Sequence, residues 1–156
     1  MIDPQRTAFL EGGVSIVASS RGAGPWPTLA RASGCRVAAE AGRVTLFFAA
    51  SRAGALLDSV RATGAIAAVF SEPGTHRSLQ LKGADAAAVP LLPGDAALIE
   101  RYADAFAAAL CPLGYSEQLA RAVVWALPED VVAVAFSPAR AFDQTPGPRA
   151  GAPLDR

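Results

Sequence analysis

Apolar residues in this chain fall into short runs divided by turns rich in glycine and proline, and the period of each run predicts its element. Thr7 to Gly12 reads as a short helix closed by Gly12-Gly13. Val14 to Ser19 is a strand, Arg21 to Pro25 a turn, and Pro27 to Val37 a second strand. A tight turn at Ala41-Gly42 leads to a third strand, Arg43 to Ala49, so the pair reads as a hairpin. Ser51 to Thr63 is helical, with Leu56, Leu57, Val60 and Arg61 at helical spacing, and Gly64 ends it. Ala65 to Ser71 is a fourth strand. The fifth opens at Thr75 and runs on toward Ala88; His76, Ser78, Gln80 and Lys82 alternate with Thr75, Arg77, Leu79 and Leu81. Pro93-Gly94-Asp95 starts a long helix to about Leu110, with Leu98, Tyr102, Ala105, Phe106 and Ala109 on one stripe. Ser116 caps a shorter helix to Trp125, and Val131 to Phe136 is the last strand.

Consecutive strands joined by hairpins point to an antiparallel barrel rather than a doubly wound sheet. The 156 residues, 52% of them hydrophobic, suit one domain with a real core. That domain spans 1–143, with a helical insertion at about 95–125. A Pro- and Gly-rich tail, expected to be extended, follows at 144–156, and beyond Pro148 it reads as a disordered terminus.

A formal net charge of zero argues against a nucleic-acid partner. Thirteen of the fourteen Lys and Arg residues are arginine, which with the alanine content reads as coding bias rather than a phosphate preference. Cys35 and Cys111 are too few for a disulfide framework or a zinc site. The first residues lack an apolar signal core, and no apolar run reaches the ~18 residues of a membrane span. The expectation is a cytoplasmic protein with no metal and no membrane partner.

Three polar clusters interrupt apolar elements. Arg31-Ala32-Ser33-Gly34-Cys35-Arg36 lies on the second strand, where Gly34 could host a bulge that changes which faces the two arginines take. Ser51-Arg52 lies where the third strand meets the helix. Free amides of a first helical turn, a hydroxyl and a guanidinium would make a phosphate cradle; taken alone, a plain N-cap beside a solvated arginine is the better reading. The third cluster is the Thr75–Gly83 strand, with the only histidine and the only lysine. Its polar face suits either solvent or a polar ligand.

These clusters, in this order from Phe9 to Gly83, resemble the flavin-binding split-barrel family typified by pyridoxamine 5'-phosphate oxidase. The matching features are Arg31 and Arg36 five positions apart, Phe47-Phe48-Ala49 ending the hairpin strand, Ser51-Arg52 before the helix, and Thr75, Gln80 and Gly83 beyond it. The resemblance implies a mainly β fold with peripheral helices, an antiparallel Greek-key split β-barrel of the FMN-binding type. It implies FMN, with Arg31, Ser51 and Arg52 on the phosphate and Ala32, Ser33 and Gly34 passing the ring edge. Arg36 would lie near the pyrimidine side, where a cation stabilises the reduced ring, and Gln80 would bond ring polar groups. Phe48 and Ala49 would complete the cofactor set, and the flavin would sit between two subunits of a homodimer.

The chain departs from that pattern. Ala53 stands where the oxidases carry a lysine, and Ala49 where they carry a hydroxyl, which weakens a phosphate site. The helical pair from Asp95 to Trp125 replaces the region that would bind pyridoxal phosphate, so the vitamin-B6 reaction is not carried over. The expectation is an FMN-dependent oxidoreductase of unknown substrate, passing hydride through flavin N5 with no catalytic side chain of its own. The alternative is a non-catalytic carrier or sensor of flavin, deazaflavin or haem. His76 reads as a surface histidine beside a turn, Cys35 as a buried thiol without a redox role, and Trp26 and Trp125 as core.

Overall fold

A computed structural model describes residues 3–154. The architecture is mainly antiparallel sheet with four helices. In chain order the elements are α1 (Pro4–Leu10), β1 (Ser15–Ser20), β2 (Thr28–Arg31), β3 (Cys35–Ala38), β4 (Arg43–Ala49), α2 (Ala50–Thr63), β5 (Ile66–Ser71), β6 (Ser78–Gly83), β7 (Ala87–Val89), α3 (Asp95–Leu110), α4 (Glu117–Val124), β8 (Val131–Phe136), β9 (Arg140–Asp143) and β10 (Pro153–Leu154). A six-stranded sheet has the order β10-β9-β6-β5-β1-β2, and a four-stranded sheet the order β3-β4-β8-β7. The two remain separate rather than closing into one continuous barrel.

Two of the expected strands each divide in two. Pro27 to Val37 becomes β2 in the larger sheet and β3 in the smaller one. The break is at Ala32-Ser33-Gly34, where Gly34 takes φ +137°. The segment beyond Thr75 likewise divides into β6 and β7, again in different sheets. A continuous alternating run carries no mark of a change of sheet, because both halves keep one apolar face inward. His76 lies in neither strand. It sits at φ +61° in a turn, where its N–H donates to the Glu72 carbonyl at 2.9 Å.

The core fills the space between the sheets and under the helices. Ile16, Ala18, Phe70, Leu79 and Leu81 come from the larger sheet, and Val44, Leu46, Phe48, Val134 and Phe136 from the smaller. Alternation in β1 and β5 is strict, with every second residue buried. In β4 all residues after Arg43 are buried, since helices cover its other face. Leu56, Leu57 and Val60 hold α2 against the sheets, and Gly64 ends that helix in the left-handed region. Tyr102 of α3 is buried, stacks on Phe106 at 5.9 Å and donates to the Val14 carbonyl at 2.8 Å.

Several boundaries move. Helix α1 starts earlier than expected, because the Asp3 carboxylate accepts from the Arg6 amide at 2.8 Å and Pro4 preforms the first turn. It ends on Glu11 rather than on the glycines. Ser116 caps α4 as expected, accepting from Leu119 N–H at 3.2 Å. Trp26 and Trp125 do not enter the core: they are 81% and 57% exposed. The tail does not run free. Strand β9 was hidden in a run too short to show a period; it pairs with β6, and β10 folds back onto it. The last two residues of the expected tail lie outside the described residues, as do Met1 and Ile2.

Candidate functional site

The register of the larger sheet assembles one face from distant parts of the chain. Arg31 pairs with Val17, Val17 with Val69, Val69 with Gln80 and Gln80 with Phe142. Directly paired residues share a face, so these side chains form one row. Arg31 and Gln80 stand three strand spacings apart in it, about 14 Å. The adjacent row is Leu29, Ser19, Ala67, Lys82 and Arg140. Ser15, Ser71 and Ser78 form the row on the other side of Val17, and the hydroxyls of Ser71 and Ser78 lie 2.8 Å apart. This is the sheet's outward face, opposite the buried Ile16, Ala18, Ala68 and Phe70. Its centre is small and apolar (Val17, Ala67 and Val69) and its borders are polar.

Border groups on this face already hold one another. The Arg31 guanidinium donates to Ser15 Oγ at 2.7 Å. Gln144 Nε2 in the tail donates to Gln80 Oε1 at 3.2 Å. The Lys82 ammonium lies 5.0 Å from the centre of the Phe142 ring, a cation–π contact.

The other expected site residues lie elsewhere. Ala32 and Ser33 are buried, and their amides donate to the Ile16 carbonyl at 3.0 Å and the Phe47 carbonyl at 2.7 Å. The Gly34 carbonyl accepts from Phe47 N–H at 3.0 Å. These bonds stitch the change of sheet together. Arg36, on β3, turns to α3 and places Nε 3.1 Å from Oδ1 of the buried Asp95. The N–H does not point at that oxygen, so the contact is Coulombic rather than a directional hydrogen bond. Phe48 and Ala49 are buried in β4. Arg31 and Gln80 are thus brought to one face, while Arg36 and the pair Ser51-Arg52 are not on it.

Ser51 is not the cap of α2. That position falls on Ala49, which has no side-chain bond to offer. A carboxylate from another element does the capping: Asp130 Oδ1 accepts from Ser51 N–H at 3.0 Å and Oδ2 from Ser51 Oγ at 2.5 Å. The Arg52 guanidinium donates to the Trp125 carbonyl. A phosphate would need these same donors, so the Ser51-Arg52 cradle as built does not fit one. Sequence spacing held no signal for this, because Asp130 is seventy-nine positions away.

Two cavities are lined by none of the ten expected residues. One, of about 770 Å³, is largely apolar and runs between α3 and α4, lined in part by Leu92, Ile99, Val124 and Trp125. The other, of about 610 Å³, lies between α1 and the tail, with Arg6, Arg77 and Arg149 on its walls. Burial, helped by the nearby Glu11 carboxylate, pushes the Cys35 thiol far above its ordinary pKa, and it donates to the Leu10 carbonyl. Cys111 and His76 are exposed. Among the described residues no cluster of His, Cys, Asp and Glu is placed to hold a metal, and no helix is long and apolar enough to cross a membrane.

By sequence, no protein-family profile matches the chain, and no curated protein matches it. Its structure is similar to several solved ones. HupZ of Group A Streptococcus matches at TM-score 0.57 with 12% identity, over 97% of this chain and 100% of the other. An F420 reductase matches at TM-score 0.52 with 16% identity, over 86% and 93%. General stress protein 26 of Bacillus anthracis matches at TM-score 0.50 with 12% identity, over 87% and 88%. The resemblance drawn from Phe9 to Gly83 therefore holds for the fold, which this chain shares with these proteins along most of its length.

Proposed function

We propose that this protein binds a flavin-type ring on the outward face of its larger sheet and works as an oxidoreductase. The observation that carries the reading is the row Arg31–Val17–Val69–Gln80. A flat aromatic ring needs an apolar platform with polar groups at its margins, and this row supplies both. Similarity of fold to a protein called an F420 reductase supports the same class of ligand, and FMN is the cofactor the sequence pattern implies. When bound, such a ring supplies two-electron hydride chemistry, so the absence of an acid–base pair on this face is no obstacle. The chain's own part is placement: Arg31 sets a positive charge at one margin and Gln80 an amide at the other. Arg36 acts indirectly, by fixing β3 against α3 beside the Ala32–Gly34 crossing.

The homodimer belongs to the same proposal. Strand β2 is an unpaired edge, and Leu29 and Trp26 beside it are 63% and 81% exposed. A second copy laid on this face would cover them and close over the ring.

The test is a titration of purified protein with riboflavin and FMN, followed by flavin fluorescence, and by bleaching with NADH or NADPH. Saturable binding that Arg31→Ala and Gln80→Ala weaken supports the site, and bleaching followed by reoxidation supports the enzyme. Failure to bind either flavin sinks the proposal. A bound ring inert to every donor would favour the carrier reading. The engaged state of Ser51 and Arg52 favours that alternative, since it removes the firm phosphate anchor a turnover enzyme would use.

A further inference from the structure

Strand β4 runs straight into α2, and its last residue, Ala49, pairs with Val131 at the start of β8. That register puts residue 130 beside the first turn of α2 whatever else the chain does. Asp130 is further held by a 3₁₀ turn, Pro128–Asp130, in which its N–H donates to the Leu127 carbonyl at 2.9 Å. The carboxylate bridges the Ser51 amide and hydroxyl. The Arg52 guanidinium is drawn to Trp125, five residues before it.

We propose that Asp130 is a resident anion occupying the phosphate position of this cradle. A ligand whose tail reaches the first turn of α2 is therefore selected without a phosphate there, riboflavin-like rather than FMN-like. A carboxylate and a phosphate oxygen recruit the same donors, and two anions cannot share them without repulsion. With Asp130 in place the cradle is already neutral, one cation against one carboxylate. The Ala49–Val131 pairing and the 3₁₀ turn fix the backbone at residue 130, which keeps the carboxylate beside the Ser51 amide. Ala49 and Ala53 on either side agree with this: neither offers the extra donor a phosphate would need. The flavin half of this statement rests on the proposed function; the exclusion of phosphate does not.

The experiment compares the full-length wild type with Asp130→Ala and Asp130→Asn. Thermal melting is read with and without inorganic phosphate at constant ionic strength, and riboflavin and FMN are titrated in parallel. The wild type is expected to show no phosphate-dependent rise in Tm and to bind the two flavins within about threefold of each other. Either variant is expected to gain a phosphate-dependent rise and to tighten FMN at least tenfold relative to riboflavin. Folded variants that ignore phosphate overturn the proposal. So does a wild type that binds FMN tenfold better than riboflavin, or whose Tm rises with phosphate in a way Ser51→Ala abolishes. If Asp130→Ala does not fold, Asp130→Asn removes the charge while keeping an acceptor for the Ser51 amide, and it decides together with the wild-type arms. If no protein binds either flavin, the proposed function fails and the phosphate arm still decides this one.

Discussion

Arg36 and Asp95 join β3 to the first turn of α3 through an ion pair at 3.1 Å, in which Asp95 is almost fully buried and Arg36 is a quarter exposed. Oδ2 of the same carboxylate accepts from Leu92 N–H at 2.7 Å. Removing Asp95 strands a largely buried cation and an amide together. Asp95→Ala is expected to cost about 2–4 kcal/mol, toward the low side for a buried pair because Arg36 reaches solvent. Urea unfolding measures it, and a loss below about 0.5 kcal/mol would show the pair to be dispensable.

Gly34 sits at φ +137°, and a β-carbon there would meet the Tyr102 side chain at 3.3 Å. Strain and crowding act together where the chain crosses between the sheets. Gly34→Ala is expected to destabilise the fold by about 1–3 kcal/mol. Chemical denaturation reads the loss, and a variant as stable as wild type contradicts the account.

The two thiols are expected to differ sharply. Cys35 is buried, with its pKa pushed far up by desolvation, whereas Cys111 is exposed. A chromogenic disulfide reagent at pH 8 should titrate one thiol in the native protein and two after denaturation. Rapid reaction of both in the native state would mean that Cys35 is reached by local opening.

The Asp85 carboxyl is held below its ordinary pKa chiefly by the Ser137 backbone N–H, at 2.8 Å, with Arg43 adding attraction. A folded-state pKa below the unfolded one gives stability that is full above the unfolded value of about 3.9. It is lost as pH falls through the folded value. Melting temperature should therefore drop below about pH 4, and Asp85→Asn should flatten that drop. An identical acid limb in the variant would assign it to other carboxylates.

The tail is tied to β6 by Gln144 N–H to the Ser78 carbonyl at 2.9 Å, Ser78 N–H to Thr145 Oγ1 at 3.0 Å and Gln144 Nε2 to Gln80 Oε1 at 3.2 Å. Ending the chain at Asp143 is expected to cost about 1–3 kcal/mol. It should also speed hydrogen exchange at Ser78. Unchanged exchange there would mean that Gln144 and Thr145 do not hold Ser78.

Local patterns in the sequence determined most of the elements. The period of two in β1 and β5, the helical stripe of Leu56, Leu57 and Val60, the stop at Gly64 and the cap at Ser116 are all set by neighbours a few residues apart. Tertiary structure decided where strands change sheet, because an alternating run looks the same before and after such a crossing. It also decided what the polar clusters do. Placing Arg31 and Gln80 in one row takes the register of four strands, and meeting Ser51 with Asp130 takes the pairing of β4 with β8. Donors such as Ser51 and Arg52 are legible as donors from sequence alone. Which acceptor satisfies them is settled only when the fold brings the Asp130 carboxylate to Ser51 and the Trp125 carbonyl to Arg52.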